Sequence, residues 1–226
     1  MSLLEASDIE KGYSGFKLDT VDLEVGEGEI VGVLGPNGAG KSTLMKLLSG
    51  QIERDNGELS VLGFDPEEES LEVRKRIGVL PEREDPPSFL TGREYLEFVS
   101  DVRDEDMDWG MPESLGIKQF QLDQEAHDLS KGERQKFMVV QAFFHDPELV
   151  FIDEPLINLD PLIQEKVKDL FREHRDGGGS MVLSTHLVSL AEEICDRVIF
   201  IEDGKVIEEV ETVENLKKRF MESNSE

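Results

Sequence analysis

The segment that most restricts the fold of this chain is Gly35-Pro36-Asn37-Gly38-Ala39-Gly40-Lys41-Ser42-Thr43, which satisfies the spacing G-x-x-x-x-G-K-[ST]. The run before it, Ile30–Leu34, is continuously apolar, as a strand buried on both faces requires. After it, Leu44, Met45, Leu47 and Leu48 recur at helical spacing. Strand, glycine-rich turn and helix in that order gather backbone N–H groups and the positive end of a helix dipole around one point, which suits a phosphate. Lys41 can reach the β- and γ-phosphates of a nucleotide, and Ser42 can offer its hydroxyl to Mg²⁺. The loop from Gly35 to Thr43 therefore predicts a Mg-ATP site within an α/β core.

A phosphate loop alone does not choose between transfer and hydrolysis. Leu149-Val150-Phe151-Ile152-Asp153-Glu154 narrows the choice, because it is an apolar strand ending in two adjacent carboxylates. Asp153 sits at the end of the strand where open α/β sheets bind ligands, and there it can hold Mg²⁺ through water. Glu154 points elsewhere in the pleat and can orient and deprotonate a water. The pair favours hydrolysis over transfer to an organic acceptor.

Strands and helices alternate along most of the chain. Strands are expected at Leu18–Val25, Gly57–Leu62, Ile77–Leu80 and Met181–Ser184, with helices over Lys41–Ser49, Glu68–Arg76, Lys131–Phe144, Pro161–His174 and Leu187–Cys195. Thr91 with Glu94 has capping-box spacing, and Asp203-Gly204 is a favoured two-residue hairpin turn. A polar amphipathic helix is expected from Thr212 onward. Residues 82–130 break the alternation and read as an inserted helical subdomain of one domain covering 1–226.

Fifty-one acidic residues oppose 24 basic ones, for a net charge of −27. Such a surface repels phosphate backbones, which argues against a nucleic-acid partner. The acids are dispersed along the chain, an arrangement that high salt would screen, so a salt-loving host is expected. No apolar run approaches the length of a membrane span, the start of the chain lacks a secretory pattern, and Cys195 is the only cysteine. A cytoplasmic protein is the simplest expectation.

With Leu129-Ser130-Lys131-Gly132-Glu133 ahead of the carboxylate strand, the sequence resembles the ABC-type ATPases, the nucleotide-binding subunits of ABC transporters. The match runs over nearly the whole chain in the family's order. The resemblance implies a P-loop NTPase core of mainly parallel sheet, an N-terminal antiparallel β subdomain and a short helical insert. It implies that Tyr13 stacks on adenine, that Asp160 belongs to the loop after the carboxylate strand, and that His186 contacts the γ-phosphate and attacking water. It further implies a head-to-tail pair of ATPase subunits, Ser130 and Gly132 of one facing ATP held by the other. Transmembrane permease subunits on separate chains would hold the protein at the inner face of the cell membrane.

Two segments depart from the family pattern. Glu82 follows Leu80-Pro81 where a Gln usually contacts Mg²⁺ and the water, and the signature reads Ser-Lys-Gly-Glu in place of Ser-Gly-Gly-Gln. A carboxylate still reaches a metal but donates no hydrogen bond when ionised. These changes resemble the exporter-type subgroup. The leading expectation is an ATPase subunit that powers transport, and the alternatives are a soluble ABC-type ATPase without a transport role and a small-molecule kinase.

Overall fold

The structure, a computed structural model, describes residues 2–83, 85–211, 213 and 216. Its centre is a six-stranded sheet in the order β5-β6-β7-β3-β8-β9, formed by β3 (Ile30–Leu34), β5 (Ile77–Leu80), β6 (Leu149–Asp153), β7 (Ser180–Thr185), β8 (Arg197–Glu202) and β9 (Lys205–Val210). All neighbours run parallel except β8 and β9. Strands β3, β6 and β7 are buried at every residue, which is why the middle of each reads as a continuous run without alternation. Asp203 and Gly204 both have positive φ, 46° and 78°, as the tight turn between β8 and β9 demands.

A second, antiparallel sheet has the order β2-β1-β4, from β1 (Ser2–Tyr13), β2 (Phe16–Gly26) and β4 (Asn56–Val61). Between the two sheets lies α1 (Lys41–Leu48), whose Leu44, Leu47 and Leu48 belong to the core they share. The other face of the large sheet is covered by α6 (Lys131–Phe143), α7 (Pro161–Asp176) and α8 (Val188–Ile194). A short α2 (Ser70–Arg76) leads into β5.

The insert holds α3 (Gly92–Arg103), α4 (Gly110–Ser114), α5 (Gln119–Leu122) and a short turn of 3₁₀ helix, Ala126–Asp128. Thr91 and Glu94 form the expected capping box on α3. The insert has no separate core: Tyr95, Leu96, Leu115 and Leu122 share one apolar cluster with Phe137 and Phe171. That continuity fixes the insert to α6, and so fixes where the start of α6 points. The helix expected from Thr212 lies outside the described residues.

Candidate active site

The phosphate loop leaves β3 at Leu34 and enters α1 at Lys41, with Gly40 as the N-cap in a left-handed conformation, φ 111°. An added Cβ at Gly40 would lie 2.7 Å from the Phe16 ring, so both backbone and space require glycine here. The β8–β9 turn braces the loop from behind, with Gly204 N donating to Ala39 O at 2.9 Å. Lys41 is buried and donates to Gly35 O at 2.8 Å and Pro36 O at 3.1 Å, which sets its ammonium at the mouth of the loop.

Around that mouth is a cleft of about 400 Å³ lined by Phe16, Asn37, Gly38, Gly40, Lys41, Ser42, Thr43, Glu82, Arg83, Asp153, Glu154, Ile157 and His186. Its position outside the carboxyl ends of β3 and β6 is the one expected for ligands of an open α/β sheet. Asp153 closes β6 and accepts a short hydrogen bond from Ser184 Oγ. Glu154 follows with φ 49°, an uncommon conformation for a residue with a side chain. The kink lets Glu154 face Lys41 Nζ at 4.0 Å, His186 Nδ1 at 2.7 Å and Thr185 Oγ1 at 3.2 Å. Carboxylate, imidazole and ammonium thus converge where a water and a γ-phosphate could meet.

The oxygen donors Ser42, Asp153 and Glu82 share this cleft. Hydroxyl and carboxylate oxygens suit Mg²⁺. Among the described residues no three His, Cys, Asp or Glu side chains cluster as a metal cage. Glu82 is itself paired with Arg83, 3.3 Å away.

Gly35, Pro36 and Ala39 belong to the loop without lining the cleft, and four expected site residues outside the loop also lie away from the lining. Tyr13 ends β1 across the hairpin from Phe16 and is half exposed, while Phe16 lines the cleft. Asp160 caps α7, its Oδ1 accepting from Leu162 N at 3.1 Å and Ile163 N at 3.2 Å. Ser130 is exposed at the N-cap of α6. Gly132, in the first turn, packs so closely on the Asn158 carbonyl that a Cβ would come within 2.4 Å of it. Glu133 completes a capping box with Ser130, accepting from Ser130 N at 2.7 Å and Gln121 Nε2 at 2.6 Å. The Ser130 amide, foremost, holds the Glu133 carboxyl below its ordinary range. Sequence reasoning missed Phe16, Arg83, Ile157 and the two hydroxyls of Ser184 and Thr185. A second aromatic three residues after Tyr13 was the available signal for Phe16.

A glycine-rich loop opening a helix, a metal-suited carboxylate and a base-like Glu–His pair define a nucleoside-triphosphatase class of site. The ABC transporter family model matches residues 18–157. The ABC transporter ATP-binding protein YthP of Bacillus subtilis (strain 168) is 35% identical over 215 residues, covering 91% of this chain and 85% of its own. The fluoroquinolones export ATP-binding protein of Mycobacterium tuberculosis (strain ATCC 25618 / H37Rv) is 37% identical over 191 residues, covering 83% of this chain and 62% of its own. A solved ATP binding subunit of an ABC transporter superposes with a TM-score of 0.82 at 30% identity, over 97% of this chain and 93% of that one. A dimeric ATP-binding cassette bound to ADP and Pi shares the fold at TM-score 0.83 and 22% identity, over 92% of this chain and 98% of that one. This chain belongs to the ABC transporter ATP-binding proteins. It spans less than two thirds of the length of some curated relatives, 64% of one in Bacillus subtilis (strain 168), and 85% or more of others. Among the described residues no helix is long and apolar enough to cross a membrane.

Proposed function

We propose that this chain binds and hydrolyses ATP to power export through separate membrane-spanning subunits, working from the inner face of the membrane. The observation that carries the reading is the convergence of Lys41, Asp153, Glu154 and His186 on one cleft beside the phosphate loop. In this reading the loop from Gly35 to Thr43 holds the triphosphate, and Glu154 takes the proton of the attacking water. His186, half exposed, contacts the γ-phosphate and the water. Tyr13, with Phe16 beside it, receives the adenine. Ser42, Asp153 and Glu82 hold Mg²⁺, which when bound neutralises charge on the phosphates. Export is supported by the kinship with the fluoroquinolones export protein.

The exposed N-terminus of α6 and the capped start of α7 support a head-to-tail pair, in which Ser130, Gly132 and Asp160 of one copy meet ATP on the other. ATP then favours the closed pair, and hydrolysis releases it. Leu71 and Val102, each 69% exposed, share a groove with Arg74, Lys75 and Arg103 between α2 and α3. Asp104 and Glu105 line the same groove, so its exposed apolar side chains rather than its charge mark it as the surface we assign to an apolar segment of the membrane partner. The dispersed acidic surface supports a salt-loving host. Sedimentation of Glu154→Gln with Mg-ATP tests the reading: a nucleotide-dependent dimer is expected, and a strictly monomeric ATP-bound protein contradicts it.

A further inference from the structure

Two hydroxyls behind the cleft have no part in the reading above. β6 and β7 run parallel with Asp153 opposite Ser184, and Glu154 N donates to Ser184 O at 3.0 Å. Adjacent carboxylates thus stand beside adjacent hydroxyls. Successive side chains of a strand point to opposite faces, so the four groups sort into two pairs. Ser184 Oγ donates to Asp153 Oδ1, and Thr185 Oγ1 lies 3.2 Å from Glu154 Oε2. Ser184 and Thr185 are both fully buried, at 0% exposure, and neither lines the cleft.

The direction of the second bond follows from donor counting. Thr185 Oγ1 accepts from Leu187 N at 3.0 Å, which uses a lone pair and leaves its single proton for Glu154. One hydroxyl therefore holds both the carboxylate and the turn that carries His186. Glu154 has two tethers of different character. Oε1 is held by His186 Nδ1, on a ring that is 44% exposed, and Oε2 by the buried Thr185. If His186 turns its ring toward a γ-phosphate and gives up this bond, the threonine remains as the donor that keeps the carboxylate aimed.

We propose that Ser184 and Thr185 are positioning residues with separate duties: Ser184 orients Asp153 toward the metal, and Thr185 orients Glu154 toward the attacking water while His186 engages the nucleotide. The proposal rests on the roles given above to Asp153 and Glu154. Groups standing behind a ligand or base in this way carry about 10- to 100-fold in metal affinity or activity.

The test compares Thr185→Val, Thr185→Ser and Ser184→Ala in the full chain, reading single-turnover ATP hydrolysis, ATP affinity and the Mg²⁺ concentration for half-maximal rate. Thr185→Val is expected to lower the hydrolysis rate about 10- to 100-fold with ATP affinity and Mg²⁺ dependence unchanged, and Thr185→Ser to restore most of the rate. Ser184→Ala is expected to raise the half-maximal Mg²⁺ concentration about 10-fold or more. Equal impairment of the Val and Ser variants, or a wild-type Mg²⁺ dependence in Ser184→Ala, overturns the proposal. If Thr185→Val melts early, Thr185→Ala against Thr185→Ser decides, since both lack the methyl and only one keeps the hydroxyl. Glu154→Gln separates the two levels of inference. Wild-type hydrolysis in that variant removes Glu154 as the base, whereas an inactive Glu154→Gln with an active Thr185→Val removes only the positioning role.

Discussion

Replacing Glu154 by Gln removes a proton acceptor and one negative charge while keeping the shape of the side chain. In the structure Glu154 Oε1 meets His186 Nδ1 at 2.7 Å and Oε2 meets Thr185 Oγ1 at 3.2 Å. A glutamine can turn its oxygen to His186 and its amide to Thr185 Oγ1, whose remaining lone pair accepts it. That rearrangement costs about 1 kcal/mol of stability, the scale of one neutral hydrogen bond. The cleft is lined by Glu82, Asp153 and Glu154, so losing one carboxylate lessens repulsion of the triphosphate and ATP binding is retained. The rate has no such compensation. General-base catalysis is worth about 10²- to 10⁴-fold, or about 3–5 kcal/mol of barrier. We expect phosphate release under single-turnover conditions to fall by that factor at unchanged ATP occupancy, with the melting temperature within a few degrees of wild type. A rate within about threefold of wild type would show that another group takes the proton, because such a loss is well below the smallest general-base effect.

Lys41→Ala removes the only ammonium within the loop, and calorimetry should show ATP binding about 10- to 100-fold weaker, as for a lost charged hydrogen bond; unchanged affinity contradicts its role. Glu82→Gln should shift the Mg²⁺ dependence of hydrolysis and break the pairing with Arg83; identical metal titrations would make Glu82 a bystander. His145, on the turn after α6, is pushed down from 6.5 to about 4, first by burial and next by the charge of Arg103. Its depressed value means that stability is present above pH 6.5 and is lost as pH falls through about 4. The shift caps the effect at about 3 kcal/mol, and partial solvent access lowers it to about 2 kcal/mol. Denaturant melts between pH 7 and 4 should be flatter for His145→Gln, and parallel curves would refute the assignment.

The elements that carry chemistry were the most legible in the sequence. β3 and β6 are buried on both faces, so each appears as an apolar run, and β6 ends in Asp153, which lines the cleft. β1 was harder to read, because irregularities between Ala6 and Ile9 and between Ile9 and Lys11 disrupt its alternation. The insert was legible only as a departure from pattern, since α4 and α5 are too short to show a period. Phe16 was hidden because its place in the cleft depends on the β1–β2 hairpin lying beside Gly40, a contact of distant segments. Ser184 and Thr185 carry no local signal for their partners, because register between β6 and β7 is a tertiary fact. Glu133 was legible by the same spacing that revealed Thr91 and Glu94, yet comparison with a family signature makes it look like a substitution when it is a helix cap.

That cap has a consequence for assembly. Both oxygens of Glu133 are committed within their own subunit, one to Ser130 N and one to Gln121, and Gly132 is wedged against Asn158. In the proposed pair, these contacts would hold the Gly132 and Glu133 part of the facing surface in place before the copies meet. At those two positions little freedom remains to be lost on association, which lowers the entropic cost of docking there. There, closing and opening resemble the travel of finished parts, and the tempo of the cycle is set by what joins them.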